Sequence, residues 1–350
     1  MEVTTGVHQE GGDILGRGSF GCVFMPPLAC KGVPPLENSP FIDKLTTISI
    51  AEHERAIAKR IQKLPLWKNY FVVAESMCEP APAVKQTDKS FKGCKLVDPE
   101  HLDQYRLLRM RYGGTSLTSH RMDFSRHSFY DFATHLIEGG AILALYGLVH
   151  MDIHSSNIVV NHANVPRFID FNLTVDIKQK GVKLSQEYMP ELPQISPDNS
   201  LVKALGNRRG MDAIQDILTS KRNIIILSSV LGISVREQQR QLIQFYKNST
   251  SIQTGDIRKW FKHYWRVQDS WAIGYILTGL LAEMSRWPSF AKSDYASYSD
   301  KLLPILRSMC ALSPRNRIDC VQALERIDPN NYLFRAYPAA KEWLARVKTL

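Results

Sequence analysis

The stretch Leu148-Val149-His150-Met151-Asp152-Ile153-His154-Ser155-Ser156-Asn157 gathers a carboxylate, two imidazoles and an amide on one short segment. An aspartate can take the proton of a reacting hydroxyl, and an asparagine oxygen can bind a hard cation such as Mg2+. Asp152, with Asn157 five residues later, therefore offers a general base and a metal ligand together. Thirteen residues beyond Asn157 stands a second carboxylate, Asp170, in Phe168-Ile169-Asp170-Phe171-Asn172. The apolar runs Ile158 to Val160 and Arg167 to Ile169 flank a polar turn, Asn161 to Asn164, and predict a hairpin. Such a hairpin brings Asn157 and Asp170 to the same end, facing one metal. Magnesium commonly takes one or two protein oxygens and completes its shell with phosphates and waters.

A second signal comes earlier, in Leu15-Gly16-Arg17-Gly18-Ser19-Phe20-Gly21-Cys22-Val23-Phe24. Three glycines in this pattern let a backbone approach phosphate oxygens with no Cβ in the way. A dinucleotide-binding turn needs a helix after the glycines. Here Cys22-Val23-Phe24 is β-prone and Pro26-Pro27 would break a helix, so the expected unit is strand, loop, strand.

With these three motifs in this order, the sequence resembles eukaryotic-type protein kinases from about Ile14 to Leu324. The Gly-rich loop running into Pro26-Pro27-Leu28-Ala29-Cys30-Lys31 is further similar to serine/threonine kinases encoded by large DNA viruses. The resemblance implies an α+β, two-lobed fold, with a small β-rich lobe over residues 11–111 and a larger, mainly helical lobe over 112–350. It implies ATP and Mg2+ in the cleft between them, and transfer of the γ-phosphate to a protein. Serine or threonine is the expected acceptor, because the loop lacks the arginine-rich arrangement of tyrosine kinases.

Roles follow residue by residue. Gly16, Gly18 and Gly21, with Val23, belong to the nucleotide site, and Asn157 and Asp170 hold magnesium. Asp152 is the base, His154 touches the γ-phosphate, and His150 is structural. The phosphate-contacting lysine is Lys44, because Phe41-Ile42 and Leu45 make a strand around it, whereas Lys31 lies among prolines and reads as a loop insertion. Its helix partner is Glu54, with Glu52 next, since Glu54, Ile57 and Ile61 share a helical face. Met110 stands behind the adenine, and Tyr112 and Gly113 offer it backbone hydrogen bonds. Met189-Pro190-Glu191 closes the activation segment, with Arg317 as the buried partner of Glu191. Asp269, at the start of the central helix, orients the catalytic loop through backbone amides.

Three positions depart from the family pattern. Met151 replaces the usual arginine, which argues against control by phosphorylation of the activation segment. His154 replaces the usual lysine, which brings the loop nearer to small-molecule phosphotransferases of related fold. Asn172 replaces glycine after Asp-Phe, and asparagine is the residue next best suited to a left-handed backbone. A small-molecule kinase and a non-catalytic, ATP-binding scaffold are thus the rival readings.

Bulk properties set the frame. The 350 residues carry a net charge of +10, and hydrophobic residues at 44% can fill a core. Met1 to Glu10 has no signal-peptide pattern, and the longest apolar stretch, Ile224 to Val235, is too short to span a bilayer. No transmembrane segment and an intracellular, cytoplasmic setting are expected, or the host cytoplasm or virion if the protein is viral. The six cysteines show no Cys-x-x-Cys spacing, so reduced thiols are expected, with neither disulfides nor zinc. From Asp170 to Asp269 is 99 residues, and the surplus forms an insert over about 192–262. Ser200 to Gln268 holds twelve Lys or Arg against Asp212, Asp216, Glu237 and Asp256, a balance of +8. Gly210 to Ser220 and Arg236 to Lys247 read as helices, and Leu227 to Leu242 is faintly similar to a helix-turn-helix. The insert is an extra helical layer on this reading, or a docking surface for an acidic protein or nucleic acid.

Overall fold

The computed structural model describes residues 13–18, 20–33, 39–82, 93–122, 128–179, 181, 184–220, 223–293 and 295–347. The chain is a mixed α+β protein that divides into two compact units. One comprises Met1–Gly113 with Ile169–Asn172, and the other Gly114–Phe168 with Leu173–Leu350. Residues 11 and 12, and Ser19 in the Gly-rich loop, lie outside the described residues.

The first unit is built on a five-stranded antiparallel sheet in the order β1-β2-β3-β5-β4. Its strands are β1 (Asp13–Gly18), β2 (Gly21–Met25), β3 (Phe41–Thr47), β4 (Ser76–Cys78) and β5 (Tyr105–Arg111). Gly18 pairs with Gly21 across a tight connection, so the Gly-rich segment is a hairpin whose first two glycines lie in β1 itself. Helix α1 (Ile48–Ile61) follows β3 directly and buries Ala51, Glu54, Ile57, Ala58 and Ile61. Three of these, at i, i+3 and i+7, form one apolar-facing stripe with Glu54 as its single charge.

The expectation of reduced cysteines is overturned here. Cys22 is bonded to Cys94 and Cys30 to Cys78, while Cys310 and Cys320 are free and buried. Both bridges sit in an apolar cluster with Phe24, Leu28, Leu45, Tyr105 and Leu107. The partners are 72 and 48 residues apart in sequence, so no local spacing betrays them. For Cys30–Cys78 strand pairing brings the partners together: Cys78 ends β4, and Cys30 bridges to Pro80 just beyond it. Short peripheral strands and a long connection between β4 and β5 leave a small core, the situation in which covalent staples contribute most.

The second unit is mainly helical. Helix α2 (Phe129–Leu145) is capped by Ser128, whose Oγ accepts from the amides of Tyr130 and Asp131. It leads into β7 (Leu148–Val149), which pairs with β10 (Val175–Asp176). A second small antiparallel sheet is formed by β6 (Thr115–Ser116), β8 (Ile158–Val160) and β9 (Pro166–Phe168). Ile158 pairs with Phe168, so the hairpin expected after the His150–Asn157 loop is present. The insert is a run of helices: α3 (Pro197–Gly206), α4 (Asp212–Ser220), α5 (Asn223–Leu231), α6 (Val235–Asn248) and α7 (Ile257–Tyr264). Between α5 and α6, Gly232 takes a positive φ of 66° and Ser234 caps α6, while the buried Gln238 amide ties the carbonyls of Ile224 and Ile233. Helix α8 (Gln268–Met284) is buried along most of its length, and Arg317 lies just before α9 (Cys320–Ile327). Among the described residues no helix is long and apolar enough to cross a membrane.

Candidate active site

Each unit carries its own group of candidate residues. In the first, Lys44 stands in the middle of β3, opposite Leu108 on β5. Its Nζ meets Glu54 Oε2 and Asp170 Oδ1, each at 2.7 Å. Lys44 and Glu54 are buried, and the Asp170 side chain keeps a quarter of its surface exposed. Burial works against the ammonium, but the two carboxylates outweigh it and hold Lys44 above the usual lysine value. Burial pushes Glu54 above the usual carboxylate value, opposed by Lys44 and by a hydrogen bond from the Phe171 backbone. Lys31 is exposed and pairs with Glu79 in a loop.

A Cβ on Gly21 would collide with the Leu45 carbonyl, so this glycine is demanded by the close approach of β2 to β3. Gly16 has open space where a Cβ would be, and at Gly18 the nearest atom is the Gly21 carbonyl oxygen at 3.9 Å. Val23 is half-buried on β2, opposite Lys44, and Met110 is buried on β5. The Tyr112 amide donates to the Pro40 carbonyl at 2.8 Å, beyond the last β3–β5 pair, which leaves the Tyr112 carbonyl as the backbone group it can offer. Gly113 closes the first unit.

In the second unit, Asp152 is half-buried and its backbone carbonyl accepts from Asn157 Nδ2 at 3.0 Å. The same Nδ2 lies 3.3 Å from Asp152 Oδ2, and Gln194 Nε2 donates to Oδ1 at 3.2 Å. His154 Nε2 is 3.7 Å from Oδ2. Burial acts to raise the Asp152 carboxyl, but His154 and Gln194 outweigh it and hold the group below the ordinary carboxylate value, hence ionised at neutral pH. The loop is fixed from beneath by Asp269, whose oxygens accept from the amides of His150 at 2.7 Å and Met151 at 3.0 Å. This is the part expected of Asp269. Its full burial pushes its carboxyl up, and the two amides act in the opposite direction.

The backbone adds a sign of its own. Met151 and Asp170 both take left-handed conformations, with φ of 67° and 63°. Strained backbone at non-glycine residues concentrates at functional sites, because the surroundings must hold it there. The left-handed residue foreseen at Asn172 is therefore absent, the turn having been made at Asp170 instead. Asn172 is buried, and neither atom of its amide meets a partner. Glu191 is also displaced from its expected role. Arg317 pairs with Asp198 at 2.7 Å, both side chains fully buried, and Trp260 Nε1 donates to the other Asp198 oxygen at 3.1 Å. Glu191 is exposed. Ser196-Pro197-Asp198 opens α3, a helix-start signature with proline at the first position, whereas Met189-Pro190-Glu191 opens no helix. That signature was the available clue.

Asn157 and Asp170 each keep an oxygen of the hard kind that magnesium takes. Asn157 commits its Nδ2 to Asp152, which turns its Oδ1 away from those bonds. Asp170 spends one oxygen on Lys44, and the second remains a hard donor. Among the described residues no group of three or more His, Cys, Asp or Glu could hold a metal, so transition-metal cages have no candidate here. Neither a protein-family model nor a curated protein matches the chain.

Proposed function

We propose that the protein is an ATP- and Mg2+-dependent kinase that transfers the γ-phosphate to serine or threonine hydroxyls of a protein. The observation that carries this reading is the Lys44 ammonium gripped at 2.7 Å by both Glu54 and Asp170. A buried lysine fixed by a helix glutamate is what a triphosphate needs at its inner phosphates. In this reading Asp152 accepts the proton of the hydroxyl as its oxygen attacks the γ-phosphorus. The bond to the β,γ-bridging oxygen breaks, and ADP leaves. Magnesium, when bound, supplies charge neutralisation at the phosphate oxygens, with Asn157 and Asp170 as its ligands. His154, half-exposed beside Asp152, donates to the phosphate being moved.

The insert supports a partner surface in the same account. Arg236 and Lys247 on α6, and Arg258, Lys259 and Lys262 on α7, are exposed, whereas Lys203 is buried and adds nothing to the surface field. Acidic protein or nucleic acid is the matching partner class, and its affinity must fall as salt rises.

Calorimetric titration with ATP tests the nucleotide half of the reading. Binding that strengthens with Mg2+ and weakens several-fold in Asp170→Asn is expected; binding indifferent to both contradicts it. An acceptor panel of proteins, sugars, choline and aminoglycosides then fixes the acceptor class. Phosphate appearing only on the small molecules would replace the protein-kinase reading with its rival.

A further inference from the structure

Gln194 belongs to none of the motifs from which the site was read, yet it touches the reacting carboxylate. Its Nε2 donates to Asp152 Oδ1 at 3.2 Å, while Asn157 Nδ2 approaches Oδ2 at 3.3 Å. A carboxylate offers about four lone-pair directions. One amide on each oxygen therefore fixes the carboxylate plane and leaves lone pairs on both oxygens for an incoming hydroxyl. The two amides are the nearest side-chain donors to the carboxylate, with His154 Nε2 farther off at 3.7 Å from Oδ2.

The segment carrying Gln194 is anchored on both sides. The Pro193 carbonyl accepts from Nε1 of the fully buried Trp271 at 3.0 Å. Ser196 Oγ donates to Gln268 Oε1 at 2.9 Å, and two residues on, Asp198 is locked to Arg317. Trp271 and Gln268 lie on α8, the helix whose Asp269 holds the amides of His150 and Met151. One helix thus fixes the loop bearing Asp152 and the segment bearing Gln194.

We propose that Gln194 is a positioning residue, holding the Asp152 carboxylate in the rotamer that meets the acceptor hydroxyl. The inference rests on the phosphotransferase reading above. Its test compares the full-length protein with Gln194→Met, which keeps the side-chain length and removes the donor, and Gln194→Glu, which sets carboxylate against carboxylate. Transfer of γ-phosphate to dephosphorylated casein is followed with ATP and acceptor varied separately. Losing one such bond is expected to lower kcat about tenfold in Gln194→Met, and further in Gln194→Glu. The KM for ATP and the melting temperature stay at wild-type values in Gln194→Met. Wild-type kcat in Gln194→Met overturns the inference while leaving the kinase reading intact. A joint change of kcat, ATP KM and melting temperature also overturns it, by reducing Gln194 to a packing residue. If the wild-type protein transfers no phosphate to any acceptor, the reading beneath the inference fails and takes it along.

Discussion

The two units hold their candidate residues by different physical means. In the first, a small sheet is stapled by Cys22–Cys94 and Cys30–Cys78, and one buried ammonium joins β3, α1 and the Asp170 segment. In the second, the cysteines stay apart and the geometry is held by buried polar groups on a large helical core: Asp269 under the loop, and Arg317 with Asp198 behind the Gln194 segment. A small core gains most from covalent links, because they cost little buried area. A large core can bury a charge pair and satisfy it, which fixes geometry more than it adds stability. Arg317 is held from several sides: Nε and Nη2 also donate to the carbonyls of Ala311 and Leu312, and the guanidinium lies 5.1 Å from the Trp271 ring centre, although the buried Nη1 has no partner.

The contrast breaks first at Arg317. Arg317→Ala strands the buried Asp198 carboxylate and should cost about 3–5 kcal/mol, read as a drop in the urea midpoint. Glu191→Gln should stay within about 0.5 kcal/mol of wild type, as an exposed change does. If Glu191→Gln proves the costlier of the two, the pairing described here is wrong. Next in size is the staple: the double substitution Cys22→Ser and Cys94→Ser should cost about 2–4 kcal/mol, measured the same way. An unchanged midpoint would mean that the bridge does not brace the first unit.

How much of this was legible in the sequence follows from how local each feature is. The loop from His150 to Asn157, the hairpin after it and the choice of Lys44 over Lys31 rest on spacing within one or two elements. The helices at 212–220 and 235–248 were readable for the same reason. The disulfides were not, since only the fold brings residues 72 and 48 positions apart into bonding range. A second Pro-acid pair, Pro197-Asp198, follows Pro190-Glu191 by seven residues and takes Arg317 instead, and the second donor to Asp198, Trp260, lies far along the chain in the insert. Gln194 carries no motif at all. Its contact exists because α8 holds two separate segments side by side, which no periodicity reports.

Smaller effects sharpen the same comparison. Burial pushes the Cys310 thiol up to about 12 and Cys320 well above the ordinary thiol value. A thiol with a raised folded pKa ionises first in the unfolded chain. Stability from these two groups is therefore complete below the ordinary thiol value near 9 and declines as pH rises toward the folded values. Urea midpoints should fall from about pH 9 upward, and Cys310→Ala with Cys320→Ala should flatten that slope. The bonded cysteines of the first unit contribute none of it. Thiol counting under denaturing conditions should give two reactive groups per chain without reductant and six with it, and six without reductant would contradict the bridges.

The most direct test of the account is transfer of labelled γ-phosphate from ATP–Mg2+ to a mixed protein acceptor, with Asp152→Ala beside the wild type. Incorporation onto serine or threonine that is lost by about a thousandfold or more in the variant is the predicted result. Equal incorporation by both proteins, or none by a wild type that binds ATP, would contradict it.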